Sequence, residues 1–560
     1  MKEALKKIIQ AAGVKQEFDL SVPPKPEMGD YAFACFDLAK ANDVSPAEAA
    51  ADLAKKISGQ GLIAEAKSFG PYVNMFLRPE AVIMQTVEAV MKQGVKYGAS
   101  KAEKNKQILV EYPSNNTHKE LHIGHLRNIC IGNSLVKILE LSGNKVIPVN
   151  YVNDFGAHVA KCLWGLQKFH AKDKPPANKQ KWLGQIYAEA SRYLKDNPET
   201  KTEVQELQKK LEAQNKKLWP LYLKTRDWSL KQFAIVFKEL GVLHKKTFFE
   251  KDIKHLGQKV VDELLKNRIA TIGEGGAIII DLTSLGLDIA LLRKSDGTGL
   301  YLTADLGLAL VKNKAYPHIT ESIHITGTEQ NLYFKQLFKV LELAGYKFQM
   351  THIGYGLVNL PTGKMSSREG NVVLYDEVYD NVYEHVLKAT RERHTDWTKK
   401  KNESTARLIT LSAIKFDFLK HESAKVMIFD PASAASFDGF TGPYVLYTVA
   451  RINSLLKKSG AKKVKINYSL LTEPEEKLLA LTMDGFAEAI VKARANYNPS
   501  TVTKYAFDLA KAYNDFYHKH SVLSAENTEL VRARLVLSKA VKTVLENALS
   551  LLSIEPVKEM

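Results

Sequence analysis

The sequence predicts an α/β protein in which a parallel-sheet domain is preceded by a small α/β domain and followed by an all-α helical bundle. Three observations point there. The apolar run Ile108-Leu109-Val110 is followed by apolar residues at helical spacing, Leu126, Ile129, Cys130, Leu135, Ile138 and Leu139, and then by Val146-Ile147-Pro148-Val149. Strand, helix, strand makes a βαβ unit, with Gly143 a plausible helix stop and Pro148 a caution against a fully central strand. A second such unit runs from Ile323-His324-Ile325 through Leu332, Leu337, Phe338, Leu341 and Leu343 to Thr351-His352-Ile353. From about Asp376 strand signals vanish and helical periodicity continues to the C-terminus.

At 560 residues the chain is long enough for two to four domains. Lys+Arg 79 against Asp+Glu 62 gives a formal net charge of +17, which suggests an anionic partner. Nucleic acid ranks above membrane, because no polybasic segment adjoins an apolar anchor and no transmembrane span is visible. Three cysteines far apart, Cys35, Cys130 and Cys162, exclude a disulfide framework and supply no C-x-x-C zinc signature. With an amphipathic N-terminus in place of a signal peptide, a soluble cytoplasmic protein is expected.

Residues 1–103 read as a separate α/β domain, bounded by the charged break Ser100-Lys106. A turn at Met28-Gly29-Asp30 precedes Tyr31-Ala32-Phe33-Ala34-Cys35. A second, Phe69-Gly70-Pro71, leads into the alternating Tyr72-Val73-Asn74-Met75-Phe76-Leu77. Nothing in it suggests catalysis, so it is expected to be a binding appendage. Residues 104–375 carry the sheet domain, interrupted by a lysine-rich helical insertion near 164–240, and residues 376–560 form the bundle.

Chemistry concentrates between Glu111 and Asn128, where His122, Gly124 and His125 follow an apolar strand and open a helix. In a βαβ unit ligands sit beyond the carboxyl ends of the strands. The unpaired N–H groups and positive dipole end of a helix N-terminus favour phosphate there. Gly124 leaves room for a nucleotide to approach the backbone, and two imidazoles can donate hydrogen bonds to phosphate oxygens as charge redistributes. There is no H-E-x-x-H, so a zincin is excluded. Gly363-Lys364 is followed by Met365, and no glycine stands five residues earlier, so a Walker P-loop is excluded too. Lys364 to Arg368 reads either as a solvated turn or as a basic flap closing over a triphosphate.

The signature His122-Ile123-Gly124-His125, followed far downstream by Lys364-Met365-Ser366-Ser367-Arg368, resembles the paired signatures of class I aminoacyl-tRNA synthetases. Further segments resemble the arginyl-tRNA synthetase family within that class. They are Ser114-Asn115-Asn116-Thr117-His118-Lys119, Leu300-Tyr301-Leu302-Thr303-Ala304-Asp305, Gly327-Thr328-Glu329-Gln330 and Gly442-Pro443-Tyr444-Val445-Leu446-Tyr447-Thr448-Val449-Ala450-Arg451. Gly29-Asp30-Tyr31-Ala32-Phe33, Gly70-Pro71-Tyr72-Val73-Asn74 and Pro556-Val557-Lys558-Glu559-Met560 extend the likeness almost end to end.

The resemblance implies a Rossmann-type catalytic domain, a helical anticodon-binding domain and a monomer. It also implies a reaction, in which arginine and ATP give arginyl-adenylate and pyrophosphate, and the arginyl group then passes to the terminal ribose of tRNA(Arg). His122, His125 and Gly124 would serve ATP with Lys364, Met365, Ser366 and Ser367. Asn116, Glu250, Tyr301, Asp305 and Gln330 would bind arginine, whose planar guanidinium suits carboxylates. If the segment holding Tyr301 and Asp305 is helical, the two share a face. Mg2+ is expected with the ATP, with no dedicated carboxylate cluster visible for it. The N-terminal domain would touch the D-loop. Tyr444, Tyr447 and Arg451 would meet tRNA bases and phosphates, or form an internal helix contact, with exposure deciding.

One departure stands out. The second signature of the class normally ends K-M-S-K-S, and Ser367 occupies the place of its second lysine. Some arginyl enzymes without that lysine resemble this chain in having a lysine three residues before the first signature, here Lys119, which is expected to supply the missing charge. Two rival readings remain: another class I synthetase, against which the acidic candidates and absent zinc cysteines argue, and a catalytically dead paralogue that binds tRNA.

Overall fold

The computed structural model describes residues 1–100, 106–361, 373–459, 466–525 and 527–560. The segment holding Lys364, Met365, Ser366 and Ser367 lies outside the described residues.

Five parallel strands form the central sheet, in the spatial order Gln349–Tyr355, Glu321–Gly327, Gln107–Glu111, Lys145–Val152, Lys246–Phe249. Strand order therefore reverses between Gln107–Glu111 and Glu321–Gly327, and the crevice beyond their carboxyl ends is where this topology places a ligand. Pro148 lies in an inner strand, opposite Val110. The ring is tolerated because it falls just before pairing with the next strand begins at Val149 and Lys246. Its carbonyl still accepts the Lys245 N–H at 2.8 Å.

The helix Ile123–Leu141 follows the first strand and is buried on nearly every side, its apolar residues spread around the axis and Arg127, Asn128, Asn133 and Ser134 buried with them. Gly132 lies flat on the Tyr112 ring, and a Cβ there would come within 2.4 Å of it. The insertion contributes helices Lys179–Asp196, Lys201–Glu212 and Trp219–Leu240 between the second and third strands. Two features escaped the sequence pattern. One is the third strand, Lys246–Phe249; the other is an antiparallel sheet of Thr271–Ile272, Ile278–Asp281 and Ile289–Arg293, packed on one face only.

Ahead of the sheet domain, Tyr31–Ala34, Tyr72–Leu77 and Ile63–Phe69 form an antiparallel sheet backed by the helix Pro46–Ile57. Beyond Leu374 the described chain is helical, except that Met427–Ile428 pairs in parallel with Val358–Asn359. The N-terminal sheet, the helix Ile123–Leu141 and the C-terminal bundle share one continuous apolar core. Asp30 pairs with Lys477 at 2.6 Å and the N-terminal amine with Asp484 at 3.0 Å, tying the two ends of the chain together. Cys35, Cys130 and Cys162 are buried thiols. No helix among the described residues is long and apolar enough to cross a membrane.

Candidate active site

The loop leaving Glu111 is built by backbone and amide contacts. Asn153 N–H donates to the Asn115 carbonyl and Thr117 N–H to that of Asn153, both at 3.1 Å, and the Asn150 amide donates to Asn115 at 2.9 Å. Asn116 forms an isolated bridge with Asn153, which puts it at the mouth of the crevice. His118, in the left-handed region at φ 61°, is fully buried and bonded to Thr225 at 2.8 Å and Thr117 at 3.0 Å. Burial, then His158 and Arg226, push its imidazole down to about 3. It is a neutral pin between this loop and the insertion, a role the motif string alone did not reveal.

His122 caps the helix Ile123–Leu141, its Nδ1 accepting the Gly124 N–H at 3.1 Å. His125 Nδ1 accepts the His122 N–H at 3.3 Å, and the two rings lie 3.8 Å apart. A ring whose Nδ1 accepts an N–H carries its own proton on Nε2. Burial, with Lys119 adding to it, lowers His122 to about 4; burial, then His122 and Lys119, lower His125 well below its ordinary value. Both are therefore neutral near pH 7, and each turns one Nε2–H donor away from the helix. A Cβ on Gly124 would stand 3.0 Å from His122 Cε1, so that glycine makes room for the imidazole as well as for a ligand.

The opposite wall is acidic. Tyr151, on the second strand, has its hydroxyl raised by burial and then by Asp305, Glu250, Glu111 and Asp154, so four carboxyl groups act on one hydroxyl. Two are compensated. Glu111 is paired with Lys312 and stands 3.5 Å from His324; burial alone would raise it, but the Lys312 charge and the hydrogen bond to His324 hold it at about 2. Asp154 is fully buried and accepts from Arg226 Nε at 2.5 Å and from the Lys251 N–H at 3.1 Å.

The other two make no close ion pair among the described residues, although Lys254 acts on Glu250 and Lys312 on Asp305 from farther off. Glu250 opens the helix Glu250–Lys266, and burial, then Asp154 and Asp305, raise it to about 7. Asp305 accepts from the Tyr333 hydroxyl, and burial, aided by Glu111, raises it to about 7 as well. Carboxyls held half-protonated by burial and by neighbouring carboxyls can receive a planar cation.

The segment of Tyr301 and Asp305 is helical, Tyr301–Ala315, but Tyr301 opens it 82 % exposed while Asp305 is half-buried. Gln330 ends the short turn Thr328–Gln330 directly after the strand Glu321–Gly327, across the switch point from Asn116. Lys119 stands at the rim. Its ammonium lies 4.7 Å from the centre of the Tyr187 ring, and its carbonyl accepts from Gln180.

Arg127 was only a letter in the signature segment, yet its fully buried guanidinium donates to the carbonyls of Gly356 at 2.6 Å, Lys425 at 2.8 Å, Glu422 at 3.3 Å and Leu357 at 3.4 Å. Farther along, Ile123 N–H donates to Val373 at 3.0 Å and Tyr375 N–H to Leu121 at 2.9 Å. The chain on either side of the Lys364 segment is thus fastened to the histidine helix.

In the bundle, Tyr444, Tyr447 and Arg451 share the helix Gly442–Ser459 and are half-buried. Arg451 donates to Asn514 at 2.6 Å and lies 4.9 Å from the rings of both Tyr447 and Tyr517. The arrangement serves both readings: an internal helix contact, and one wall of an open cavity of about 460 Å³ that Arg393, Phe437 and His518 also line.

The chain matches three family models: "tRNA synthetases class I (R), catalytic domain" over residues 86–431, "DALR anticodon binding domain" over 445–560 and "Arginyl tRNA synthetase N terminal domain" over 1–77. It is 36 % identical to an arginine–tRNA ligase of Clostridium perfringens, covering 97 % of this chain and 96 % of that one. It is 35 % identical to one of Treponema denticola, covering 96 % and 94 %. The arginyl-tRNA synthetase of Thermus thermophilus superimposes with a TM-score of 0.83 at 26 % identity over the full length of both chains. That of Plasmodium falciparum shares the fold, with a TM-score of 0.79 at 20 % identity over 100 % of this chain and 99 % of the other. With its catalytic, anticodon-binding and N-terminal parts all matched in order, the chain belongs to the arginyl-tRNA synthetases of class I.

Proposed function

We infer that the chain is an arginine–tRNA ligase: it activates arginine with ATP and passes the arginyl group to the 3′-terminal ribose of tRNA(Arg). The observation that carries this reading is the pair Glu250 and Asp305, two carboxyls raised to about 7 and facing the same crevice as the histidine corner. Arginine's guanidinium supplies the charge that both lack. Asn116 and Gln330, on the two sides of the switch point, are suited to the α-amino end, and Tyr301 to covering the side chain from the rim.

In the first step a carboxylate oxygen of arginine attacks the α-phosphorus of ATP, and the bond to the bridging oxygen of pyrophosphate breaks. The Nε2–H donors of His122 and His125 meet the phosphate oxygens, where negative charge grows. Neutral imidazoles in a dry site need no reorganisation to do so. Lys119 adds a fixed positive charge in place of the lysine that Ser367 does not supply, and Lys364 holds the leaving pyrophosphate, with Met365, Ser366 and Ser367 against the nucleotide. In the second step a ribose hydroxyl of the tRNA attacks the acyl carbon and AMP leaves.

Mg2+ enters as part of the ATP. The site's two compensated carboxylates already hold Lys312 and Arg226, and the one three-residue group of metal-capable side chains among the described residues, Glu473, Glu475 and His520, lies in the helical bundle. We read the ion as one carried by the phosphates of ATP. Residues 1–103, 104–375 and 376–560 act as tRNA-contacting, catalytic and anticodon-binding units of a cytoplasmic monomer, with Tyr444, Tyr447 and Arg451 on the RNA.

Charging of total tRNA with each amino acid offered separately tests this. Arginine alone is expected to be attached, in an ATP-dependent reaction. Attachment of a different amino acid overturns the specificity, and no attachment at all leaves a tRNA-binding protein without activity.

A further inference from the structure

We propose that Tyr187, on the insertion helix Lys179–Asp196, is a positioning residue for ATP, holding the Lys119 ammonium at the nucleotide corner. The proposal rests on the reading of Lys119 as a phosphate-facing charge and adds the device that places it.

A lysine ammonium on a four-carbon stem is a poor fixed charge, because the free side chain samples many rotamers. Here its freedom is reduced from two directions. The Lys119 carbonyl accepts from Gln180 of the same insertion helix, so backbone and helix are joined about two turns before Tyr187. Its Nζ then lies 4.7 Å from the Tyr187 ring centre, inside the range of a cation–π contact. Lys161, from the helix Ala157–Phe169, brings a second ammonium to 5.1 Å from the same ring, while its Nζ donates to Ser191 at 3.4 Å. The ring is thus shared by two like charges, and Lys161 has a second anchor of its own.

The place where Lys119 is held matters. Its charge is felt at His122, His125 and His158, lowering each, so the ammonium held at the Tyr187 ring is within electrostatic reach of the imidazoles. Burial of the Tyr187 hydroxyl would raise it, yet Lys119, then Lys161, together with hydrogen bonds to Lys119 and Ser191, bring it below its ordinary value. The contact that geometry gives this cation is the tyrosine ring. The arrangement gives the helical insertion a part in the chemistry: it carries no candidate catalytic group, yet it supplies the surface against which a substituted charge is set.

The test is a double-mutant cycle on the full chain, with Lys119→Ala, Tyr187→Leu and Tyr187→Phe, read as kcat and KM for ATP and for arginine in tRNA charging. Tyr187→Leu is expected to lower kcat/KM for ATP about tenfold, between the scales of an exposed and a desolvated cation–π contact, with KM for arginine unchanged. Tyr187→Phe, which keeps the ring, should recover most of that loss. In the Lys119→Ala background Tyr187→Leu should cost nothing more. Equal losses from Tyr187→Leu with and without Lys119, or a large effect of Lys119→Ala beside none of Tyr187→Leu, overturn the positioning role alone. A neutral Lys119→Ala overturns the reading of Lys119 itself.

Discussion

Arg127 donates to the carbonyl of Gly356 at 2.6 Å, and by that bond the helix of the two histidines holds the chain that leads toward Lys364. The guanidinium is fully buried and finds four carbonyls but no carboxylate; burial accordingly lowers it to about 10. A planar fork can bridge several carbonyls from one position, which a lysine cannot.

Arg127→Met should therefore destabilise the protein by about 3 kcal/mol, because it strands buried acceptors that were bonded to a charged donor. Arg127→Lys should fall between the two. Urea unfolding followed by circular dichroism checks this. A midpoint for Arg127→Met equal to that of the parent would mean that the four carbonyls find other partners.

Gly124→Ala separates folding from chemistry. Alanine is the better helix former by about 1 kcal/mol, so helix propensity alone predicts no loss of stability. Its Cβ, however, would lie 3.0 Å from Cε1 and 3.1 Å from Nδ1 of His122. The ring must swing away, taking its Nε2–H donor with it. An unchanged thermal midpoint is expected beside a loss of about a hundredfold in ATP-dependent charging, the usual cost of one misplaced donor. Near-parent activity would show that His122 can do its work from another rotamer.

The physics of these sites explains what could be read in advance. The βαβ units announced themselves because strands covered on both faces are continuous apolar runs, and the histidine corner because His122, Gly124 and His125 sit at one junction. The strand Lys246–Phe249 did not, since only Phe248 is fully buried in its four residues. The antiparallel sheet around Ile278–Asp281 was hidden for the opposite reason: its apolar residues lie on both faces, with Ile289 51 % and Ile272 69 % exposed, so alternation is lost. Arg127 and His118 read as charged or polar surface letters, and only their burial reveals their work.

Arginine binding should be pH-dependent. Glu250 and Asp305 are each raised to about 7, and a guanidinium binds their ionised forms. As pH falls through 7 both take up protons, so KM for arginine should rise about tenfold or more between pH 8 and pH 6. Lowered to about 4, His122 stays neutral over that range, so kcat at saturating arginine and ATP should change far less. Isothermal titration with arginine in buffers of different ionisation enthalpy adds a second check: near pH 7 binding should release protons. A flat KM profile would place the guanidinium elsewhere.

The same carboxyl makes a prediction about stability. Asp305 is raised from 3.8 to about 7 in the folded protein, so its ionised form is disfavoured by folding. That cost begins above the unfolded value, is fully present above about 7, and is relieved as pH falls through 7 toward 4. Asp305→Asn keeps the size of the side chain and an oxygen to accept from Tyr333, but has no charge to bury. At pH 8 the variant should unfold at a higher temperature than the parent, and the difference should narrow as pH falls through 7 and close only near pH 4, where the carboxyl is protonated in the unfolded chain as well. Added arginine should raise the midpoint of the parent and leave that of the variant unmoved. A variant less stable than the parent at pH 8 would mean that Asp305 is compensated in the free protein, and that the acidic wall is a set of ion pairs with no vacancy for a guanidinium.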